Sequence, residues 1–146
     1  MVIKPNTKNL VPLLPYTDLG NARRYARLFN DRCKYIVEAN QWYLWNGKRW
    51  EADTTGTITR DFTKVLDDIE NDRVMLEEAF LEGNISDSDH KRLIKKNTDW
   101  HHSSQSLGKI HSAIKLARTQ EGISKSFSEF DSKGHYLGVK NRSTKS

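Results

Sequence analysis

The chain is poor in the residues that staple or metal-bind a small fold. Its one cysteine, Cys33, excludes an intramolecular disulfide framework and any multi-cysteine metal site, and it fits a reducing compartment. No apolar run approaches the roughly 18–20 residues that span a bilayer, so no membrane partner is expected. The amino-terminal segment lacks a charged start, an apolar stretch and a small-residue cleavage site in that order. No secretory signal is read, and the expected location is the cytoplasm. There are three prolines, Pro5, Pro12 and Pro15. Motifs of catalysis are also missing. Asn46-Gly47-Lys48-Arg49 has one glycine before its lysine, not the Gly-rich cradle that holds phosphates. There is no nucleophile elbow and no His-Glu-x-x-His zinc pair. The chain is therefore expected to be no enzyme and to need no cofactor.

What is present is one domain's worth of chain, 146 residues, with too many aromatic side chains (four Trp, five Tyr, five Phe) for a disordered protein. The formal charge is +5, and it is segregated. Residues 1–50 carry a net +6, residues 51–100 a net −6 and residues 101–146 a net +5. If the basic ends fold onto one face, that face attracts a polyanion through phosphate contacts and counterion release. The alternative is that the excess lysine only keeps the protein dispersed.

Residues 1–16 read as an extended arm, because proline blocks regular helix and sheet. Thr17 or Asp18 then caps a helix with Leu19, Ala22, Ala26 and Phe29 at helical spacing. Arg23, Arg24 and Arg27 fall off that stripe, toward solvent. Residues 34–38 and 42–45 read as strands by their β-branched and aromatic content. Asn46-Gly47 predicts a two-residue type I′ turn into a returning strand at 48–51. Period-two alternation lines one face with Trp42, Leu44 and Trp50, or alternatively with Tyr43 and Trp45. From Ile58 the period becomes helical. Phe62, Val65, Leu66, Ile69, Leu76 and Phe80 form one stripe, opposite Asp61, Asp68, Asp72 and Glu78. Ser86 or Asp87 caps a helix reaching Trp100, and Ser103 or Ser104 caps another whose stripe is Leu107, Ile110, Ile114 and Ala117. Residues 124–134 are Ser/Lys-rich, with Phe127 and Phe130 as anchors. A final strand at 136–139 and a frayed tail at 142–146 complete the reading. The fold class is α+β, a small antiparallel β-meander packed on a mainly helical bundle, as one domain over residues 17–141.

Candidate site residues follow from this layout. Arg23, Arg24, Arg27, Lys48, Arg49, Lys109 and Lys115 are the candidates for phosphate contact, with DNA, single- or double-stranded, as the partner. Trp42, Tyr43, Trp45 and Trp50 can stack on unpaired bases or form the core that a small sheet needs; core is expected for most of them. Cys33, between Arg32 and Lys34 and without a local motif, reads as a bystander. His90, His101, His102 and His111 have no ligand spacing, since adjacent histidines on a helix point apart.

Several of these residues fall into a known pattern. Thr17-Asp18, then Gly20 to Arg24, then Lys34-Tyr35-Ile36, then Trp42 through Trp50 followed by Asp53, resemble the N-terminal-like domain of phage and plasmid primase-helicases, shared with the poxvirus primase-helicase. Residues 106–117 are similar to the helix that precedes the helicase, and residues 130–141 to the closing segment of that domain. In that family the domain lies between a primase or DNA-binding region and a hexameric superfamily-three helicase. The resemblance implies a DNA-contacting or subunit-organising role in mobile-element replication, with a replicative helicase as a partner. After Asn141 the family continues through glycine into the helicase, whereas here Arg142 to Ser146 close the sequence, so its ATPase motifs are not expected in this chain. That departure motivates a second reading: a stand-alone phage-encoded protein that binds and inhibits a host or defence (for example CRISPR-type) nucleoprotein complex, its acidic helix near residues 61–82 meeting a basic partner surface.

Overall fold

Residues 13–132 are described by the computed structural model. Helix α1 (Asp18–Phe29) starts where Thr17 Oγ1 accepts the Gly20 amide at 2.9 Å, an N-cap that satisfies one orphan donor of the first turn. Strands β1 (Cys33–Ile36), β2 (Gln41–Trp45) and β3 (Trp50–Ala52) follow as an antiparallel meander. Next come the single turn α2 (Thr57–Arg60), then α3 (Thr63–Leu81), α4 (Asp87–Ser103) and α5 (Leu107–Ala117). A two-residue strand β4 (Ser124–Lys125) pairs parallel to β1, and α6 (Phe127–Ser132) closes the described chain. The sheet order is β3-β2-β1-β4, so the sheet is mixed rather than a plain meander. The α+β class is as expected.

The sheet is two-sided. One face, with Cys33, Tyr35 and Trp42, packs on Ala22, Tyr25, Phe29, Phe62, Val65, Ile114 and Ile123 in the main core. The other face gathers Ile36, Tyr43 and Trp50 under Phe130 of α6. Alternation with period two separates the two sets. Trp50 lies with Tyr43, not with Trp42 and Leu44, because β3 pairs Trp45 with Trp50 directly. The connecting loop is also longer than a type I′ turn. Gly47 has φ 100° but Asn46 does not enter the left-handed region. Instead Asn46 Oδ1 accepts the amides of Lys48 (2.8 Å) and Arg49 (2.9 Å), and β3 begins only at Trp50. Trp42, Tyr43 and Trp50 are buried, while Trp45 is 42% exposed, so most of the aromatic hairpin is core, as expected.

The helical layer departs from the sequence pattern in three places. The stripe from Ile58 is broken: α2 ends before Phe62, where tight bonds from Phe62 N to Thr59 O and from Val65 N to Phe62 O restart the chain as α3. Asp72 is on the buried side of α3, not opposite it, for a reason given below. The α5 cap is Ser106, whose Oγ accepts the Lys109 amide at 3.2 Å, because Ser103 and the buried Ser104 finish α4. Leu107, as the first residue of α5, is therefore 65% exposed, and the inward stripe begins at Ile110. Helix α1 lies along α5 and also against α3. Phe130 is buried but Phe127 is exposed. No helix among the described residues is long and apolar enough to cross a membrane. The expected strand at 136–139, most of the expected arm and the tail lie outside the described residues.

Candidate nucleic-acid interface

Four of the five residues from Gly20 to Arg24 are buried. A Cβ on Gly20 would lie 1.9 Å from the Pro15 carbonyl oxygen, so the incoming segment crosses α1 at backbone contact. Asn21 is fully buried. Its Nδ2 donates to Ser104 Oγ (3.0 Å) and its Oδ1 accepts from Trp100 Nε1 (3.1 Å), tying α1 to the end of α4. Ala22 sits in the core, and Arg23 alone faces solvent.

Arg24 is 1% exposed, which overturns its assignment as a phosphate contact. Its fork grips Asp72 through Nη2 to Oδ2 (2.8 Å) and Nη1 to Oδ1 (3.3 Å), while Nη1 also reaches Asp68 Oδ2 at 2.9 Å. Burial pulls the guanidinium pKa down, but the paired carboxylates of Asp72 and Asp68 outweigh it and hold the pKa above its ordinary value. The expectation failed because α1 is packed on two sides. Its polar flank lies on the acidic flank of α3, and both charges go inside together. Asp72 also accepts a bond from Tyr16 Oη at 3.1 Å, and Asn97 Nδ2 donates to that same Tyr16 oxygen at 3.0 Å. Burial pushes the Tyr16 hydroxyl up to about 12. Arg27 is 56% exposed but donates to Asp68 Oδ2 at 2.7 Å, so a phosphate would compete with that carboxylate.

Arg23, Lys48, Arg49 and Lys115 are exposed and make no ion pair among the described residues. They belong to three different parts of the fold: α1, the β2–β3 loop and α5. Lys109 is half-buried with its Nζ 5.3 Å from the centre of the Trp100 ring, a cation–π contact on the α4 side of α5.

The other side of α5 builds a cleft of about 490 Å³ against α2 and the sheet. Trp42, Ile58 and Ile114 make its apolar wall, and His111, Lys115 and Arg118 line it with cationic or titratable groups. Helical spacing of four and three residues puts these last three on one face of α5 and its C-cap. The Arg118 guanidinium lies 4.9 Å from the centre of the Tyr35 ring, a cation–π contact. Asp53 and Thr59 are also in the cleft. The Asp53 carboxylate is turned onto the backbone of α2, accepting Thr57 N (3.1 Å) and Thr55 N (3.3 Å) at Oδ1 and Ile58 N (3.1 Å) at Oδ2. Of the seven predicted contacts only Lys115 lines this cleft. His111 and Arg118 were not predicted as part of such a site, although their spacing from Lys115 is visible in the sequence.

Cys33 is buried in the main core, and burial pushes its thiol up to about 12. Iodoacetamide at pH 8 should leave the folded protein unlabelled and label it once urea unfolds it; labelling of the folded chain would contradict the burial. The linked stability has a definite sign. An unfolded thiol loses its proton near pH 8.5, roughly, whereas the folded one keeps it to about 12. Stability from this group is thus whole below the unfolded value and declines as the pH climbs past it, by at most about 1.4 kcal/mol per pH unit. Urea titrations at pH 8, 9 and 10 should show this decline, and Cys33→Ala should flatten it.

Among the described residues no group of three His, Cys, Asp or Glu side chains is placed to hold a metal ion. The architecture is that of an α+β domain with a basic cleft beside a tryptophan-rich sheet. A family model described as D5 N terminal like matches residues 22–142. The chain belongs to that family, the N-terminal domain of D5-type primase-helicases, and is a replication domain related to theirs. No curated protein and no solved structure matches it.

Proposed function

We propose that this chain is a nucleic-acid-binding accessory domain of mobile-element DNA replication, working beside a replicative helicase and supplying contact rather than catalysis. The observation that carries the reading is the set of exposed cations, Arg23, Lys48, Arg49 and Lys115, that no carboxylate among the described residues engages, in a domain of a replication family. Some carboxylates of the acidic middle segment, by contrast, are used inside the fold. Asp68 and Asp72 hold Arg24, and Asp53 accepts the first amides of α2, while Asp89 and Asp99 are paired with Arg92 and Lys95 on the surface of α4. Charge that is spent inside the fold does not repel a polyanion outside it.

Fluorescence anisotropy with a labelled single strand and its duplex, across a series of KCl concentrations, tests the proposal. Three or four phosphate contacts predict a slope of log affinity against log salt of about −2 to −4. Lys48→Gln and Arg49→Gln should each weaken binding and make that slope shallower by about 1. Affinity indifferent to salt, or no binding to either form of DNA, rejects the proposal.

A further inference from the structure

We infer that the cleft between α5, α2 and β2 is a binding site for a single nucleotide unit, its phosphate held by Lys115 and Arg118 and its base set against Trp42, Ile58 and Ile114. The choice of ligand rests on the DNA-contact reading; the site itself rests on the cleft.

Three properties of the cleft point to this chemistry. Its volume, about 490 Å³, lies in the range of small-ligand sites, roughly 300–1,000 Å³. Its lining is divided, with an apolar wall of indole and two isoleucines on one side and an ammonium and a guanidinium on the other. An anion with a flat, apolar-faced body suits that division better than an inorganic ion or a neutral molecule. The electrostatics also favour an anion. Among the described residues Asp53 is the one carboxylate lining the cleft; both its oxygens are turned onto loop and α2 amides, and its single negative charge is outnumbered by the charges of Lys115 and Arg118. Arg118 lies 4.9 Å from the centre of the Tyr35 ring, and a planar guanidinium fork is suited to two phosphate oxygens. The Thr59 side chain adds a hydroxyl for a sugar or base edge. Trp42, Ile58 and Ile114 also belong to the main core and are 9%, 2% and 7% exposed, so the wall offers the base the outer edges of these side chains rather than a stacking face.

Nitrogen-15 correlation spectra of the full chain, titrated with dTMP, thymidine and inorganic phosphate, test the site. With dTMP, the Trp42 indole and the amides of Thr59 and Lys115 should shift together. The dTMP affinity should exceed that of thymidine and of phosphate by at least about tenfold each, since each lacks one half of the recognition. Lys115→Gln and Arg118→Gln should each weaken dTMP about tenfold or more, whereas Lys91→Gln, at an exposed position of α4 outside the cleft lining, should leave it unchanged. Lys115 is exposed, so its variant keeps the test valid if Arg118→Gln disturbs the Tyr35 contact. Shifts confined to other surfaces, or thymidine or phosphate binding as well as dTMP, overturn the inference. A decathymidylate with and without a 5′-phosphate then tells a strand end, bound only when phosphorylated, from an internal nucleotide, bound equally. The two proposals fail separately. DNA binding without cleft shifts from dTMP rejects the nucleotide site alone, and cleft shifts without DNA binding reject the accessory-domain function alone.

Discussion

Arg24→Met is expected to cost about 3–5 kcal/mol of stability, because it leaves the Asp72 carboxylate buried without its cation. Methionine has nearly the length of the arginine stem, so cavity formation is a small part of the loss. Asp68 suffers less, since Arg27 still reaches it at 2.7 Å. The partner substitution separates the causes. In Arg24→Met with Asp72→Leu no charge is stranded, and most of the stability should return, as replacing a whole buried pair by apolar side chains is often neutral. Urea denaturation of the two single variants and the double one gives the coupling directly. A single-variant loss below about 1 kcal/mol would mean that water already solvates Asp72 and that the pair does not hold α1 to α3. The result bears on function too. An arginine scan for DNA binding would find Arg24 among the most damaging positions, yet its effect would follow the unfolded fraction, whereas losses at Arg23 or Arg49 would not.

This pair also marks where the sequence stops being readable. The α1 cap, its apolar stripe and strands β1 and β2 are local features: Thr17 is three residues from Gly20, whose amide it accepts, and the aromatic run declares the strands. Arg24 and Asp72 are 48 positions apart, and each alone looks like a solvated charge. The parallel pairing of Tyr35 with Ser124 is hidden for the same reason, since two residues carry no period. One missed signal was local after all. Ser126 and Glu129 make reciprocal bonds, Glu129 N to Ser126 Oγ (3.1 Å) and Ser126 N to Glu129 Oε1 (3.0 Å), a capping box that announces α6 in the sequence. The cleft was half legible. His111, Lys115 and Arg118 share a face by spacing alone, but the wall facing them comes from Trp42 and Ile58, which only the tertiary packing brings opposite.

Gly20→Ala is expected to destabilise the fold by about 3 kcal/mol, the upper part of the range for overpacking. Two effects oppose each other. In a helix interior alanine is intrinsically better than glycine by about 1 kcal/mol, and Gly20 lies in the first turn of α1, where only part of that gain applies. Against it stands a Cβ placed 1.9 Å from the Pro15 carbonyl oxygen. That obstacle is backbone, and it is held. The next residue, Tyr16, is bonded to Asp72 and Asn97 and stacked 6.4 Å from Trp100. Moving Pro15 away therefore drags Tyr16 out of its contacts, and the clash is relieved only by giving up the arm's anchorage. A double-mutant cycle checks that route. If Gly20→Ala acts by displacing Tyr16, then Tyr16→Phe should cost clearly less in the Gly20→Ala background than in the parent protein. Additive losses would place the strain within α1 instead, and an alanine variant more stable than the parent would show that the segment at Pro15 yields freely. On the expected outcome, the glycine-asparagine-alanine signature is explained by close packing of Pro15, α4 and the core around one helix start, with no ligand at Gly20, Asn21 or Ala22, and the DNA contact must be sought among the cations outside it.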